Sequence, residues 1–536
     1  MPKCSCFPSL PSRAESLPLQ PVHQISAMSS KKIRSALISV YHKDGLEPIV
    51  EELKRLGVKL YSTGGTQRFL ESLGAEVNAV EDLTSYPSIL DGRVKTLHPK
   101  VFGGILARRE ASHQAQLQEY DIPEIDLVIV DLYPFEETVA ETDDEPAIIE
   151  KIDIGGISLI RAAAKNYKDV VVVPSRAEYS KLELLLKEKD GVTELADRKA
   201  LALRSFGVSS HYDTAIFQYF NAGTTERTAF KQSFQEAQSL RYGENPHQAG
   251  TYYGKLEDMF DILGGKALSF NNLVDIDAAV GLMREFQGAD PTFAILKHTN
   301  SCGVATRSSL LEAWTDALAA DNVSAFGGIL IANTTVDLAT AQEIDKIFYE
   351  VLIAPGFAPE ALEFLSKKKK RILLRIKEFY AHKRSFKSLL NGVIEQDTDL
   401  KMETAEALET VTKKAPSAVE KEDLIFALKC GKHLKSNTIV LARGQQLLGM
   451  GCGQTSRVDA LKQAIAKAKR FGFELEGAVM ASDAFFPFAD SVEIARQAGI
   501  TAVVQPGGSI RDKDSIEFCD THDMSMVFTG VRHFKH

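Results

Sequence analysis

The segment VKLYSTGGTQRFLESLG, residues 58–74, decides the fold. Val58 to Thr63 is a short apolar run, Gly64-Gly65-Thr66 is a turn, and Gln67 to Leu73 has helical spacing closed by Gly74. A strand that passes through a glycine turn into a helix is the repeating unit of a parallel α/β sheet. The same rhythm recurs around it, with Ser35 to Val40, Leu127 to Tyr133 and Val170 to Val173 reading as strands between helical stretches. These strands are nearly unbroken apolar runs, as expected when helices cover both faces of the sheet, so a doubly wound α/β domain is predicted. Free N–H groups at the helix start, the positive end of its dipole and the hydroxyls of Thr63 and Thr66 make an anion site that needs no net charge. A Gly-Gly turn between a strand and a helix is, taken alone, more often plain turn chemistry. Lys43, just beyond the first strand, favours the anion reading, because ligands collect at that edge of such a sheet.

A chain of 536 residues is too long for one core. The polar stretch from Asn221 to Gln232 carries no strand signal and is taken as the boundary. The expected organisation is an extension over 1–30, one domain over 31–230 and another over 231–536. The extension, rich in proline and serine without apolar periodicity, is expected to be disordered, with Met28 as the initiator in preference to a transit peptide. With 63 basic and 72 acidic side chains the protein has no overall field to hold nucleic acid. Six scattered cysteines form no disulfide framework and fit a reducing, cytosolic setting. No apolar run approaches the roughly 20 residues that span a bilayer, so no membrane partner is expected.

Beyond the boundary, Ser324 to Gly328 with Val336-Asp337 resembles Ser482 to Phe488 with Ser491 to Glu493, hinting at an internal duplication. Ser366 to Arg371, four lysines and an arginine, reads as a solvated part of a charged helical region. The loop from Gly92 to Lys100 places Arg93, Lys95, His98 and Lys100 where they would repel one another without an anion between them. Asp153 precedes a Gly155-Gly156 helix start, and Arg161 and Lys165 fall on one face of that helix. Lys297-His298 ends an apolar strand, a usual place for catalytic groups, although a histidine there is also a common structural residue.

Ser62 to Thr66, Gly92 to Pro99, Leu132 to Phe135 and Ile152 to Asn166 resemble the inosine monophosphate (IMP) cyclohydrolase domain of the bifunctional purine-biosynthesis family, whose N-terminal fold is similar to methylglyoxal synthase. The resemblance continues in Arg241 to Gln248, Leu268 to Asn272, Lys297 to Asn300, Ser482 to Phe488 and Arg532 to His536, covering essentially everything after Lys31.

What the resemblance implies is a homodimer. Its first domain would be methylglyoxal-synthase-like, and its second would be two cytidine-deaminase-like α/β halves. The second domain would transfer a formyl group from 10-formyltetrahydrofolate, as co-substrate, to the 5-amino group of an aminoimidazole carboxamide ribonucleotide. The first would close the ring to IMP. Zinc is not implied, because the histidine- or cysteine-Glu and Pro-Cys-x-x-Cys signatures of true deaminases are missing from the sequence; a structural monovalent cation is left open.

By position, Lys95, Tyr133, Asp153 and Lys165 match the ring-closing group, and Lys43, Thr63, Gly64, Gly65, Thr66, Arg93 and Thr96 match nucleotide contacts. Lys297, His298 and Asn437 match the formyl-transfer group. Phe326, Gly327, Glu350, Asp483, Arg241, Tyr242, Arg457, Arg532 and His536 match its substrate contacts. The chain departs from the family pattern at Tyr41-His42, where Ser-Asp is usual, at Asp131, where Asn is common, and at Ser301, where Pro is usual.

Overall fold

The computed structural model describes Ser30 to His536 except Asp91, Gly92, Thr225 and Arg227. Residues 1–29 of the expected extension, with Met28, and Gly92 therefore lie outside the described residues. The chain divides into two compact units, one through Gln235 and one from Glu236.

In the first unit five strands form an all-parallel sheet in the order Val77–Ala79, Lys59–Ser62, Ser35–Val40, Leu127–Asp131, Val171–Val173. Both faces are covered. Ala36, Ile38, Leu60 and Ile129 pack into one apolar cluster and Leu37, Tyr61, Val128 and Val130 into another, which is the alternation that a strand buried on both sides requires. The chain leaves the central strand Ser35–Val40 in one direction and returns on its other side at Leu127–Asp131. That reversal opens a crevice beyond the carboxyl ends of these two strands, where open α/β sheets bind ligands.

The second unit contains the same fold twice. Its two six-stranded sheets have the orders Phe260–Gly264, Ile372–Ile376, Val351–Ala354, Ile329–Ala332, Thr292–Lys297, Asn300–Thr306 and Glu409–Thr410, Ser525–Phe528, Ala502–Gln505, Val479–Ser482, Ile439–Ala442, Leu447–Gly451. Each has an antiparallel hairpin at one edge, two parallel pairings and an antiparallel strand at the other edge. Each hairpin follows a 15-residue helix, Phe270–Arg284 or Ala418–Lys432, opened by a reciprocal side-chain cap from Ser269 or Ser417. Residues of both halves share one apolar cluster. Between the halves, Glu285 accepts from Lys432 at 2.9 Å and lies 3.1 Å from His433 Nε2, nearly all of it out of water.

The duplication is thus real, but the motifs that hinted at it are not its equivalent positions. Register fixes the match: Phe293 pairs with Ala305 and Ala332, as Ile439 does with Gly451 and Ser482. Asn333 is therefore the counterpart of Asp483 and Arg307 of Gly453, whereas Ser324 precedes its strand and Ser482 ends one. The lysine run differs from expectation too. The helix Pro359–Ser366 stops before it, and Arg371 is buried, bonded to Asp345 and to the Ile347 carbonyl, with its guanidinium 4.5 Å from the Tyr349 ring centre. An arginine stem and planar head fill such a site as a lysine would not.

Candidate active sites

The crevice of the first unit is built from three strand-end segments, carrying Lys43, Gly64 and Tyr133, and two helix-to-helix loops, carrying Lys95 and Asp153. Gly64 opens the helix Gly64–Ser72 with φ +55°, and a Cβ there would lie 3.4 Å from Lys95 Nζ. An ammonium thus rests beside the positive end of a helix whose start has no side-chain cap, a pairing of like partial charges that an anion relieves. Thr63 and Thr66 direct their hydroxyls inward, to Glu81 at 2.6 Å and to the Val40 carbonyl at 2.9 Å, so the backbone amides of the turn are the groups left to meet a ligand. Lys43 likewise donates to the Val40 and Tyr41 carbonyls, closing its own loop, and its burial pulls its pKa down. Arg93 is ion-paired with Glu150.

Opposite the turn, Asp153 accepts from the Gly156 amide at 2.6 Å, and its own amide donates to Tyr212, whose hydroxyl donates in turn to the Lys151 carbonyl. A Cβ on Gly156 would stand 2.5 Å from Asp153 Oδ2, and one on Gly155 3.2 Å from Thr96 Oγ1, so the glycine pair lets the loop carrying Lys95 and Thr96 close on the aspartate. Burial raises the Asp153 pKa above the usual carboxylate value against three backbone hydrogen bonds that lower it. Tyr133 is raised as well, by burial and then by the nearby Asp153 charge, so it stays a protonated donor at neutral pH. The Tyr41 ring packs edge-on to Tyr133 at 5.4 Å, with Lys151 Nζ over both rings.

Two of the departures from the family pattern meet here. His42 approaches Asp131 Oδ2 through its ring Nδ1 at 2.8 Å and its backbone N–H at 2.9 Å. Sequence reading placed them 89 residues apart with nothing to couple them. The third departure, Ser301 in the second unit, is buried, and its hydroxyl has no partner among the described residues. Lys165 does not join the first-unit cluster. It ends the helix Gly155–Lys165, about 15 Å of axis from Gly155 at 1.5 Å per residue, and with Arg161, Phe102, Leu106 and Phe206 it lines a separate recess of about 380 Å³.

In the second unit Lys297 and His298 sit at the turn of the first hairpin. Lys297 donates to the Phe326 carbonyl at 2.8 Å, and His298 and Thr299 take left-handed backbone, with Thr299 N–H bonded to Asp275. A short relay of contacts leads from this turn into the other half. Asn300 donates to the His298 carbonyl and faces Cys452 Sγ at 3.3 Å, and the Gln454 carbonyl accepts from Asn437 Nδ2 at 2.9 Å. Arg457, buried, donates to Asn437 Oδ1 at 2.9 Å, Asp483 Oδ1 at 2.8 Å and Ser482 Oγ at 2.8 Å. It therefore holds Asn437, Asp483 and Ser482 in place together. Asp483 Oδ2, fully enclosed, has no partner among the described residues.

The pseudo-equivalent pole is filled. There Arg307, which stands where Gly453 stands in the open pole, lays its guanidinium on the turn of the second hairpin. It donates to the Gly444 carbonyl at 2.7 Å, to Gln446 and to Asp316, while Asn333 is bonded to three carbonyls. At the other pole the equivalent residue is Gly453, which lays no side chain on the Lys297-His298 turn, and a Cβ built on it would meet nothing within 4 Å among the described residues. Glu350 is ion-paired with Lys266, Phe326 and Gly327 line the strand entry beside Phe348, and Arg241 and Tyr242 are carried by a tight loop whose Gly250 backs onto the Tyr242 carbonyl. Removing Arg457 while Asp483 stays buried leaves an uncompensated charge. Arg457→Met is expected to cost about 3–5 kcal/mol in chemical unfolding of the second unit.

Fold and site together define a two-centre α/β enzyme, with a crevice fit to cradle an anion in one unit and a lysine–histidine hairpin and a buried arginine–carboxylate pair in the other. The chain matches the family model described as AICARFT/IMPCHase bienzyme over residues 163–467 and that described as MGS-like domain over residues 45–158. A protein named bifunctional purine biosynthesis protein PurH from Bacteroides thetaiotaomicron is 61% identical over 508 residues, 95% of this chain and 99% of that one. Proteins of the same name from Chlorobium chlorochromatii and Aquifex aeolicus are each 47% identical, over 95% and 94% of this chain and all of theirs. The chain belongs to the AICARFT/IMPCHase bienzyme family: it is a bifunctional purine-biosynthesis enzyme, a formyltransferase that uses a folate co-substrate joined to an IMP cyclohydrolase.

Proposed function

We propose that the two centres divide the work as their chemistry suggests, with formyl transfer from 10-formyltetrahydrofolate at Lys297-His298 and ring closure at Lys95, Tyr133 and Asp153. The observation that carries the reading is the pair of unlike sites. One sets a lysine at the uncapped helix start of Gly64 and a raised carboxylate on the Gly156 amide, and the other has a lysine and a histidine on a left-handed turn and, in the same unit, an enclosed, half-satisfied aspartate.

In formyl transfer the 5-amino group is a poor nucleophile. His298 takes its proton as it attacks the formyl carbon, and Lys297 stabilises the oxyanion that forms, with Asn437 as a second donor to that oxygen; the adduct then collapses with cleavage of the bond from the formyl carbon to N10, and His298 returns the proton to N10 as tetrahydrofolate leaves. In ring closure the carboxamide nitrogen attacks the formyl carbon of the same molecule, so positioning supplies much of the rate. Asp153 accepts the nitrogen's proton, and Lys95, at the helix start, stabilises charge on the formyl oxygen before it leaves as water. Tyr133, protonated, donates to that oxygen. The turn amides of Gly64–Thr66 hold the nucleotide phosphate.

The enzyme is taken to work in the cytosol as a homodimer, the state the family resemblance supports. Lys165 is assigned to ring closure by resemblance alone. Loss of cyclisation in Lys165→Ala would require the lysine to reach the crevice from a second copy, given its place along the helix. The deciding assay supplies the aminoimidazole carboxamide ribonucleotide and 10-formyltetrahydrofolate to purified protein and identifies the purine products chromatographically. IMP as end product supports the division, and arrest at the formylated intermediate refutes the assignment for the first unit.

A further inference from the structure

The last residues of the chain form a latch on the formyl-transfer site. His533, 3% exposed, faces carboxylates with both ring nitrogens: Nδ1 lies 2.6 Å from Asp399 Oδ2 and Nε2 lies 3.1 Å from Glu403 Oε2. A ring with an acceptor on each side donates twice, which makes it an imidazolium. From that anchor the tail reaches both loops of the open pole. The His533 amide donates to the Asp483 carbonyl at 3.2 Å. Lys535 exchanges two bonds with Ser436, the neighbour of Asn437, through Ser436 N–H to the Lys535 carbonyl at 2.9 Å and Lys535 N–H to Ser436 Oγ at 3.1 Å. Lys535 Nζ caps the His433 carbonyl. The side chains of Arg532, Phe534 and His536, between and beyond these anchors, remain exposed.

We propose that His533 is a positioning residue for formyl transfer, pinning the C-terminal tail to Asp399 and Glu403 and thereby holding the Asn437 and Asp483 loops in register with each other. The inference rests on the reading of the second unit as the formyl-transfer centre. Its logic is mechanical. Asn437 and Asp483 leave adjacent strands, Arg457 bridges them from inside, and the tail bridges them from outside. A displacement of about 1 Å in such a site costs on the order of a hundredfold.

The groups facing His533 are Asp399 and Glu403 from the segment before the second half, the Asp483 carbonyl, and on its own tail Arg532 over the Phe534 ring and Lys535 toward His433. Burial opposes charge on the imidazole, but the bonds to Glu403 and Asp399 outweigh it and hold the pKa above the ordinary histidine value. A histidine with a raised folded pKa contributes stability that is complete below its unfolded value and is lost as pH rises through the folded one. The latch therefore opens on the alkaline side.

The test uses the full-length protein and measures kcat and KM for formyl transfer across pH, with ring closure of the supplied formylated intermediate as an internal control. His533→Gln is expected to lower the formyl-transfer kcat about tenfold to a hundredfold and to leave ring closure unchanged. Glu403→Gln removes one of the negative charges that retain the proton and moves the alkaline fall of formyl transfer to lower pH. Should His533→Gln fail to fold, Asp399→Asn, at a half-exposed carboxylate, is expected to shift the same limb the same way. Wild-type kcat in His533→Gln, or an unmoved limb in both carboxylate variants, overturns the latch. If the wild type itself forms no formylated product, the reading of the centre falls and the latch with it; if the wild type is active and the variants match it, the latch alone falls.

Discussion

Lys297→Ala abolishes formyl transfer and leaves ring closure of the supplied intermediate intact: this is the largest effect expected. The loss should be about 10²–10³-fold or more in kcat, the cost of removing a donor aimed at a developing oxyanion. In the structure Lys297 Nζ already donates to the Phe326 carbonyl, so its head is tethered at the turn before any substrate arrives. The reorganisation that a free lysine would undergo is thereby avoided. His298→Ala should cost a comparable amount, and the double variant little more than either, because base and oxyanion donor act as one unit. Single-turnover measurement of the formylated intermediate in the three variants checks this. Additive losses would mean that the two residues serve separate steps.

The second large effect falls on the first unit. Asp153→Asn is expected to reduce ring closure about 10²–10⁴-fold, the usual range for a positioned proton acceptor, and to leave formyl transfer unchanged. The pH dependence gives the finer test. Burial raises the Asp153 pKa, so the wild-type rate of ring closure should climb with pH along a limb lying above the usual carboxylate range of about 3.9. Below that limb the carboxyl is neutral and accepts no proton. In the asparagine variant the limb should vanish. A limb that survives the substitution belongs to another group, and Asp153 is then only the cap on Gly156. The same sign governs stability: a carboxyl raised by burial favours the folded state while protonated, and that contribution is lost as pH rises through the raised value.

Much of this architecture was legible in the sequence because the signals were local. The strands Ser35–Val40 and Leu127–Asp131 announce themselves as apolar runs, and the glycine turn at Gly64 carries its own conformational requirement. The edge strand Val77–Ala79 did not, since three half-buried residues with an asparagine at the centre carry neither an apolar run nor an alternation. Long-range facts were hidden for a different reason. Register, not sequence similarity, equates Asn333 with Asp483 and Arg307 with Gly453, and these pairs share a place without sharing chemistry. Thr63 and Thr66 looked like ligands because threonines in a glycine turn often are. Which way a hydroxyl points depends on Glu81 and Val40, and neither was visible as a neighbour. Arg457 matches a substrate contact by position, and its neighbours, invisible in the sequence, make it also the brace that holds Asn437 and Asp483.

The paired poles of the second unit also bear on how ligand energy is spent within one molecule. At the filled pole Arg307 permanently supplies the hydrogen bonds and the bulk that the open pole, with Gly453 in its place, obtains only from outside. One half thus arrives saturated and the other arrives in deficit. Substrate binding then makes good the shortfall in only one of two otherwise matching bodies, adding stability there in proportion to the logarithm of ligand concentration over its dissociation constant. Amide exchange in the Asn437–Gln454 and Asp483 loops should slow on saturation with nucleotide, while the matching segments around Arg307 and Asn333 keep their rates, so that the molecule carries its own unliganded control.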